Sequence, residues 1–186
     1  MADVPQPTLI LIDLQQAFED GSWGRRNNPE LERNLEELLA GWRRRGAPII
    51  HVRHESQDPS GRFVRGTSGF DYKREAAPRH GEPEIVKKAN NAFVATDLEE
   101  RLRRDGVTTV AIAGMTTDHC CSTTARMASD LGFETWVLDD GLATFERRAP
   151  DGELISAQTL HRAEITSLSG EFGQVLSVAD ALERLG

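Results

Sequence analysis

Two adjacent cysteines, Cys120 and Cys121, are the only thiols in this 186-residue sequence, and they lie in the segment GMTTDHCCSTT (114–124). The apolar run TTVAIA directly precedes this segment. A structural disulfide between the two is disfavoured, because adjacent cysteines do not easily reach the separation that the bond needs. A zinc site is also disfavoured, since no second cysteine pair supplies ligands from another loop. Two interpretations remain: two small buried residues, or one reactive thiol with a packing neighbour.

Two charged residues end other apolar runs of the chain. Asp13 lies at the end of TLILIDL (8–14), and Lys87 lies at the end of EIVKK (84–88). Taken alone, such an aspartate often only caps a turn, and such a lysine is usually solvated. If all three runs are parallel strands, however, their carboxyl ends share the sheet edge at which ligands bind. The pattern then predicts that Asp13 takes and returns a thiol proton while Lys87 holds charge and orientation.

Cys120 is better placed than Cys121 to be the reactive thiol. The spacing predicts a helix from about Asp118, so Cys120 lies in its first turn. Capping by Asp118 or Thr117 would leave backbone N–H groups and the positive end of the helix dipole beside the sulfur. We therefore expect a lowered thiol pKa and donors for an oxyanion. Cys121 lies about 100° further round the helix, where it would face helix packing or a subunit interface.

Strands and helices alternate along the whole chain. Apolar runs predict strands at 8–14, 47–54, 84–88, 107–114 and 134–140, and FGQVLS follows near the C-terminus. Helical spacing and caps predict helices that begin at Asn28-Pro29, at a Thr96–Glu99 capping box, near Asp118, at about 151 and in VADALERL. This alternation indicates one α/β domain (1–186) with a parallel sheet and helices on both faces. Residues 55–83 show little periodicity, which is typical of a functional or mobile loop.

The overall composition limits the partners and the compartment. A formal net charge of −8 argues against a nucleic-acid or anionic membrane surface. The sequence contains no apolar stretch of about 18 residues that would span a bilayer. The N-terminal MADVPQPTLILIDLQ has no basic start before its apolar run, so it does not resemble a signal peptide. We expect a cytoplasmic protein with reduced thiols that acts on a small molecule.

Three segments carry a resemblance to a known family, the isochorismatase-like cysteine hydrolases. LILIDLQQAF resembles the first-strand pattern of an apolar run followed by D-x-Q-x-x-F. VKKANNAFVATDLEERL resembles the lysine segment, with Lys87 six residues before Phe93. VAIAGMTTDHCCSTTARMASDLGFETWVLDDGLATF resembles the cysteine segment, with Cys120 at the nucleophile position. Family members normally carry an aliphatic residue at the position of Cys121, and the resemblance covers nearly the whole chain.

The resemblance implies both a fold and a site. The fold is a Rossmann-like three-layer α/β fold, with a six-stranded, mostly parallel sheet of order 3-2-1-4-5-6 between helices on both faces. The site is an Asp13–Lys87–Cys120 triad. A non-proline cis peptide between Met115 and Thr116 would turn the N–H groups of Thr116 and Cys120 toward the oxyanion. We also expect a homo-oligomer, either a dimer or a tetramer.

A metal site is not expected. Nicotinamidases of this family hold a metal with a D-x-H pair and a further histidine, and the present sequence has no D-x-H. His51 and His54 are three residues apart on a predicted strand, so their side chains point to opposite faces and cannot share one ion. We expect neither a metal nor any other cofactor. His119 and His161 are interpreted as structural residues.

The loops after the first two strands bring together a group of aromatic and basic residues. GSWGRRNNP and HVRHES contain Trp23, Arg25, Arg53 and His54. One interpretation is a surface ion-pair loop. The other is a substrate collar, in which Phe18 and Trp23 form apolar walls and an arginine binds a carboxylate or carbonyl.

Three functions are therefore compatible with the sequence. The first is hydrolysis of an amide or carbamoyl C–N bond through a Cys120 thioester, with Asp13 as general acid and base. The second is hydrolysis of an enol ether such as isochorismate, in which Asp13 protonates the substrate and the cysteine is dispensable. Isochorismatases of siderophore pathways have a longer segment before the first strand, which argues against this second function. The third is a thiol that senses oxidants, although Cys121 cannot easily resolve an oxidised Cys120.

Overall fold

The computed structural model of the protein describes residues 6–186. Residues 1–5, on which the signal-peptide expectation partly rests, lie outside the described residues. The strands are β1 (Thr8–Ile12), β2 (Ile49–His54), β3 (Glu84–Lys87), β4 (Thr109–Met115), β5 (Glu134–Ala143), β6 (Arg147–Arg148), β7 (Leu154–Ile155) and β8 (Gln174–Leu176). The α-helices are α1 (Leu31–Arg45), α2 (Leu98–Arg104), α3 (Ser122–Asp130), α4 (Ala157–Leu168) and α5 (Val178–Arg184). None of the helices within residues 6–186 has the length and apolar character needed to cross a membrane.

Six of the strands form one parallel sheet of order β3-β2-β1-β4-β5-β8. This arrangement confirms the predicted order, with β8 as the sixth strand of the sheet. Strands β6 and β7 are not in this sheet, because they pair antiparallel with each other in a separate small sheet. The central strand β1 is hydrogen-bonded on both sides, with Ile10 opposite Ile50 of β2 and Ile112 of β4.

The sheet separates two apolar cores, as a three-layer fold requires. Leu9 and Leu11 of β1 belong to the core under α1 and α5, whereas Ile10 and Ile12 belong to the core under α2, α3 and α4. Burial on both faces explains why β1 is a continuous apolar run instead of an alternating one. A buried strand of this kind can end only at the rim of the sheet, which is where Asp13 follows it.

Gly114 allows β4 to lie close to β1 next to the site. Its φ is +141°, and a Cβ atom at this position would lie 2.1 Å from the carbonyl oxygen of Ile12. No side chain fits in that space, so only glycine permits the approach. The approach brings the segment that carries Cys120 next to the end of β1.

The predicted caps of α1 and α2 were wrong. Asn28 does not cap α1: its φ is 49° and its side-chain amide donates to the carbonyl oxygens of Asp140 and Leu142. The Thr96–Glu99 capping box is not formed, because Asp97 is the residue before α2 and its side chain makes no cap hydrogen bond. The Thr96 hydroxyl instead donates to the Ala92 carbonyl at 2.6 Å and accepts from the Leu98 N–H at 3.3 Å. At Asn28 a contact with distant residues replaces the local cap, and spacing alone does not reveal that contact.

The helix predicted from about 151 begins later, at Ala157. Ala149 donates its backbone N–H to the Glu153 carbonyl at 2.8 Å, which closes a turn between β6 and β7. Ser156 then caps α4 by accepting a hydrogen bond from the Thr159 N–H. The small hairpin thus occupies residues that the sequence pattern assigned to the helix.

The segment 55–83 is attached to the sheet by Gln15. The Gln15 side-chain amide donates to the carbonyl oxygens of His54 and Phe70, at 3.0 and 3.1 Å, and its oxygen accepts from the His54 N–H at 2.8 Å. The Gln15 backbone also forms an isolated bridge with Tyr72. A single buried glutamine therefore holds together the ends of β1, β2 and the long loop. The three hydrogen bonds need both the amide donor and the oxygen of a glutamine, which explains the residue type at Gln15 in the D-x-Q motif.

Candidate active site

Asp13 and Lys87 meet at the carboxyl edge of the sheet. The Nζ atom of Lys87 lies 2.6 Å from Oδ2 of Asp13, and both side chains are almost fully buried. Asp13 has a left-handed backbone (φ 52°), which aspartate tolerates better than most residues. Its N–H still donates to the Val52 carbonyl, so the residue is held by the sheet hydrogen bonds while the chain turns away.

The Lys87 ammonium group has an acceptor for each of its three N–H donors. These acceptors are Oδ2 of Asp13 at 2.6 Å, the carbonyl oxygen of Ala89 at 3.1 Å and Nδ1 of His54 at 3.4 Å. Burial by itself would lower the pKa of Lys87, but the nearby Asp13 and Cys120 outweigh it and raise that pKa. A raised lysine pKa favours the charged form, so Lys87 is suited to hold a fixed positive charge beside Asp13 and poorly suited to accept a proton.

Asp13 has one carboxylate oxygen that is free to accept a proton. Its Oδ1 atom is buried and has no hydrogen-bond partner among the described residues. Burial raises the pKa of Asp13 above its ordinary value, although Lys87 acts in the opposite direction. A raised carboxylate pKa makes Asp13 a stronger proton acceptor than an exposed aspartate.

Cys120 lies in a π-helical turn (Thr117–Cys121) that precedes α3. The Thr116 carbonyl accepts hydrogen bonds from the N–H groups of His119 and Cys121, and among the described residues it accepts none from that of Cys120. The peptide bond between Met115 and Thr116 is cis, which is the geometry that the family resemblance implies. The Cys120 N–H therefore does not share the Thr116 carbonyl that its neighbours His119 and Cys121 use.

Neither predicted cap of this turn is formed. The Asp118 carboxylate accepts from the Thr144 hydroxyl at 2.6 Å and pairs with Arg147. The Thr117 hydroxyl is fully buried and lies 2.9 Å from Nδ1 of His161. Both side chains attach the turn to other elements instead of capping it: Asp118 to the residue after β5 and to β6, and Thr117 to α4. The resulting network accords with a structural role for His161.

The pKa of Cys120 is raised to about 12, so the expectation of a lowered pKa was wrong. Burial is the main cause, and the negative charge of Asp13 adds to it, while Lys87 opposes both. The helix-start argument considered only the backbone and missed the buried carboxylate beside the sulfur. Cys120 is therefore a neutral thiol at rest, and its Sγ lies 3.8 Å from the Oδ1 acceptor of Asn90.

Cys121 packs away from the site. It is 1% exposed and belongs to the apolar core that contains Ile10, Val137 and Leu168. Burial raises its pKa well above the ordinary value. The structure thus places Cys121 in the core of the chain, as the helix-packing alternative predicts, and not on its surface.

The three candidate residues are next to a small cavity of about 100 Å³. Its lining consists of Asp13, Phe18, Trp23, His54, Phe63, Asn90, Thr116, His119 and Cys120. The Phe18 ring lies against Trp23 and Phe63, with centroid separations of 5.0 and 5.1 Å. Lys87 is not part of this lining, but it bonds to Asp13, which is. Phe18 and Trp23 therefore both line the cavity, whose volume suits a compact molecule.

Arg25 and Arg53 do not line this cavity, so the predicted arginine collar was wrong. The Arg25 side chain is 84% exposed and pairs with Glu146 at 2.9 Å. Arg53 pairs with Glu84 at 3.1 Å, and its guanidinium lies over the rings of Phe70 and Tyr72. Arg53 and His54 are consecutive on β2 and point to opposite faces, so only His54 reaches the site.

Sequence reasoning missed Phe63, Asn90 and the exposed position of His119 at the cavity. Nε2 of His119 lies 3.0 Å from Nη1 of Arg147, and burial and the Arg147 charge both lower the pKa of His119. The only signal for Asn90 was its place three residues after Lys87. Phe63 lies in the unpatterned loop, where no periodicity could reveal it.

A larger hollow of about 890 Å³ lies at the opposite, amino-terminal edge of the sheet. Its lining includes Arg43, Glu82, Arg104 and Asp105, which are paired with one another as Arg43–Glu82 and Arg104–Asp105. None of Asp13, Lys87 and Cys120 contacts it. The volume of this hollow alone would make it the candidate ligand site, but the reactive side chains Asp13 and Cys120 line the smaller cavity.

The side chains of residues 6–186 include no group of three or more histidine, cysteine, aspartate or glutamate residues arranged to hold a metal ion. Nε2 of His51 lies 2.8 Å from Glu82, on the side of β2 away from His54. The two histidines are therefore separated as their spacing predicts.

Chelation tests the metal expectation directly. Exhaustive treatment with EDTA should leave activity within about twofold, because a catalytic metal site normally needs three protein ligands. Steady-state rates before and after treatment measure this, with buffer-dialysed enzyme as control. Loss of activity that zinc or iron restores would contradict the expectation.

Comparison with known proteins identifies the family of the chain. A sequence model of the isochorismatase domain matches residues 7–180. The chain belongs to the isochorismatase family. It is accordingly a hydrolase, and its parallel sheet flanked by helices is the fold of this family.

Individual members of the family match over most of their length. The chain is 39% identical to YrdC of Bacillus subtilis, an uncharacterized isochorismatase family protein, over 91% of this chain and 90% of that protein. A crystal structure of an isochorismatase-family protein from Chromobacterium violaceum has a TM-score of 0.96 and 41% identity, covering 99% and 95% of the two chains. A streptothricin hydrolase of Streptomyces noursei is 30% identical over 88% of this chain and 59% of that protein.

Proposed function

We propose that this family member is a cysteine hydrolase that cleaves a C–N bond of a small amide or carbamoyl compound through a thioester on Cys120. The observation that carries the proposal is the site beside one cavity: a neutral thiol, a buried carboxylate with a free oxygen, and a lysine that balances the carboxylate charge. A nucleophile that is protonated at rest needs a base beside it, and Asp13 is that base.

The first half of the reaction forms the thioester. Asp13 takes the proton of the Cys120 thiol while the sulfur attacks the substrate carbonyl carbon, and the carbonyl oxygen becomes an oxyanion. The N–H groups of Thr116 and Cys120 are the proposed donors to this oxyanion. Asp13 then gives its proton to the substrate nitrogen, the C–N bond breaks, and ammonia or an amine leaves.

The second half of the reaction restores the thiol. Asp13 takes a proton from water as the water oxygen attacks the thioester carbon. The C–S bond then breaks, the carboxylic or carbamic acid leaves, and the sulfur regains the proton from Asp13. Lys87 stays protonated throughout, so it stabilises the Asp13 carboxylate whenever that group is ionised.

Thiol alkylation separates this reaction from oxidant sensing. Because the pKa of Cys120 is about 12, the thiolate fraction should be very small near neutrality and increase with pH. We expect the rate of Cys120 alkylation by iodoacetamide to rise about tenfold per pH unit from about pH 7 to pH 10. Peptide mass spectrometry measures the rate, and the Cys120→Ala variant reports labelling of Cys121. A plateau below about pH 8 would show a low-pKa thiolate, which oxidant sensing needs, and would contradict the neutral resting thiol of the proposed mechanism.

A screen for ammonia release tests the proposed activity. The panel consists of small amides and ureido acids, each incubated with the native protein and with Cys120→Ala as the matched control. We expect release from at least one compact amide with the native protein and none above background with the variant. If no member of the panel releases ammonia, or if the variant releases it equally, the proposal is wrong.

A further inference from the structure

His54 lies between the Lys87 ammonium group and the cavity. It ends β2, it is half-buried, and it contributes to the cavity lining. Its Nδ1 atom is 3.4 Å from Nζ of Lys87. An ammonium group carries only N–H donors, so the nitrogen that faces it must be the acceptor and cannot carry a proton. A neutral imidazole without a proton at Nδ1 carries its single proton at Nε2.

The surroundings of His54 oppose a second proton. Burial lowers the pKa of His54, and the positive charge of Lys87 lowers it further, while Asp13 and the hydrogen-bonding carbonyl of Ala89 act in the opposite direction. Within residues 6–186 the ring has one side-chain hydrogen-bond contact, which is from Lys87 at Nδ1. The other ring nitrogen, Nε2, then carries the N–H at a residue that lines the cavity.

The cavity also lacks a cation for an anionic substrate. Asp13 is the one Asp, Glu, Lys or Arg residue of its described lining, and Lys87 balances its charge. Arg147, which lies 3.0 Å from His119 of the lining, is paired with Asp118. Arg62 stacks over the outer wall residue Trp23 and donates to the Ser22 hydroxyl, and it is not part of the lining. A carboxylate placed here would meet the Asp13 charge without a second cation in the described lining to offset it, which disfavours anionic ligands.

We propose that His54 is a specificity-determining residue, whose Nε2–H donates to a second oxygen of a small uncharged amide. The proposal rests on the proposed function, because it names the class of amide that this site accepts. The substrate would carry the scissile amide beside the thiol and an uncharged accepting oxygen, such as a ketone or a second amide, toward His54. An amide without that oxygen would leave the N–H unpaired on binding.

The tautomer of His54 can be measured without any turnover. Two-bond proton–nitrogen correlation spectra of the ¹⁵N-labelled full-length protein distinguish the two neutral tautomers, and His54→Gln identifies the resonance. We expect the Nε2–H tautomer at pH 7.5. The Nδ1–H tautomer, or a protonated ring, would overturn the proposal, while it would leave the Cys120 reaction untouched.

Matched probes test the role of this donor in binding. Pyruvamide and methacrylamide have nearly the same shape, but only pyruvamide has the second oxygen. In the Cys120→Ala background we expect His54→Asn to weaken pyruvamide binding about tenfold, with methacrylamide changed by less than about threefold. Asparagine keeps an acceptor near the Nδ1 position for Lys87, whereas His54→Gln keeps a donor near Nε2 and should weaken pyruvamide binding less.

Equal losses for both probes, or no preference for pyruvamide in the parent protein, would show that His54 is only structural. Oxamide and the anionic oxamate form a second pair, for which we expect tighter binding of oxamide. Tighter binding of oxamate would overturn the assignment of an uncharged substrate. Because these measurements report binding and not hydrolysis, they can fail while the thioester reaction stands, and the reverse also holds.

Discussion

Replacing Cys120 by alanine is expected to lower kcat for an amide substrate by about 10⁴-fold or more, because removal of a nucleophile eliminates the covalent route. Among the described residues that line the cavity, the sulfur is the thiol nucleophile with a buried carboxylate base beside it. Steady-state rates on an amide identified by the ammonia screen measure the loss.

Cys121→Val is the matched control for this substitution. Cys121 is buried in an apolar core and valine is close to it in volume, so the change should cost less than about 1.5 kcal/mol of stability. We expect kcat within about threefold of the native value, since a well-tolerated core substitution away from the site leaves the reacting groups in place. Equal losses at the two positions would contradict the assignment of Cys120 as the nucleophile.

Replacing Asp13 by asparagine is expected to lower kcat by about 10²-fold or more, as the loss of a general acid–base usually does. Asparagine has nearly the same shape and can still accept a hydrogen bond from Lys87, but it cannot take the thiol proton. Binding of an unreactive substrate analogue should weaken much less, because the lost interaction belongs to the transition state. Near-native turnover in Asp13→Asn would contradict the mechanism.

A second variant separates catalysis from folding at this position. Asp13→Asn leaves the buried Lys87 cation without its counter-charge, which by itself destabilises a protein. The double variant Asp13→Asn/Lys87→Met removes both charges, so we expect its melting temperature to exceed that of Asp13→Asn. Its kcat should remain as low as that of the single variant. Recovery of activity together with stability would show that Asp13 acts through folding alone.

Cys120→Ala and Asp13→Asn, compared with each other, also distinguish amide from enol-ether chemistry. In an enol-ether hydrolase, Asp13→Asn would be inactive as well, because Asp13 supplies the proton. Cys120→Ala would then keep its activity, since no covalent intermediate is formed. Only the thioester reaction requires both residues.

The strand ends were the most predictable part of the molecule. Parallel strands buried on both faces appear as continuous apolar runs, and the residues after such runs must meet at one edge. This reasoning brought Asp13, Lys87 and Cys120 together, and the structure places them within one site. The order of the strands followed from the family resemblance, and the structure confirms it.

The loop contacts and the electrostatics could not be predicted in the same way. Arg25 and Arg53 are near the site in sequence, but their directions depend on Glu146 and Glu84, which come from other parts of the chain. The pKa of Cys120 depends on burial and on the distance to Asp13, and neither follows from a helix start. Phe63 reaches the cavity because the loop that carries it is attached through Gln15, a contact between distant segments.

The most direct test of the central claim is mass spectrometry of the enzyme during turnover of a slow amide substrate. Acid quenching should preserve a thioester, which adds the acyl mass to the intact protein, and peptide mapping should locate it on Cys120. We expect this adduct in the native enzyme and in Cys121→Val, and we expect it to be absent in Asp13→Asn. Turnover without any adduct under these conditions, or an adduct on a residue other than Cys120, would contradict the thioester mechanism.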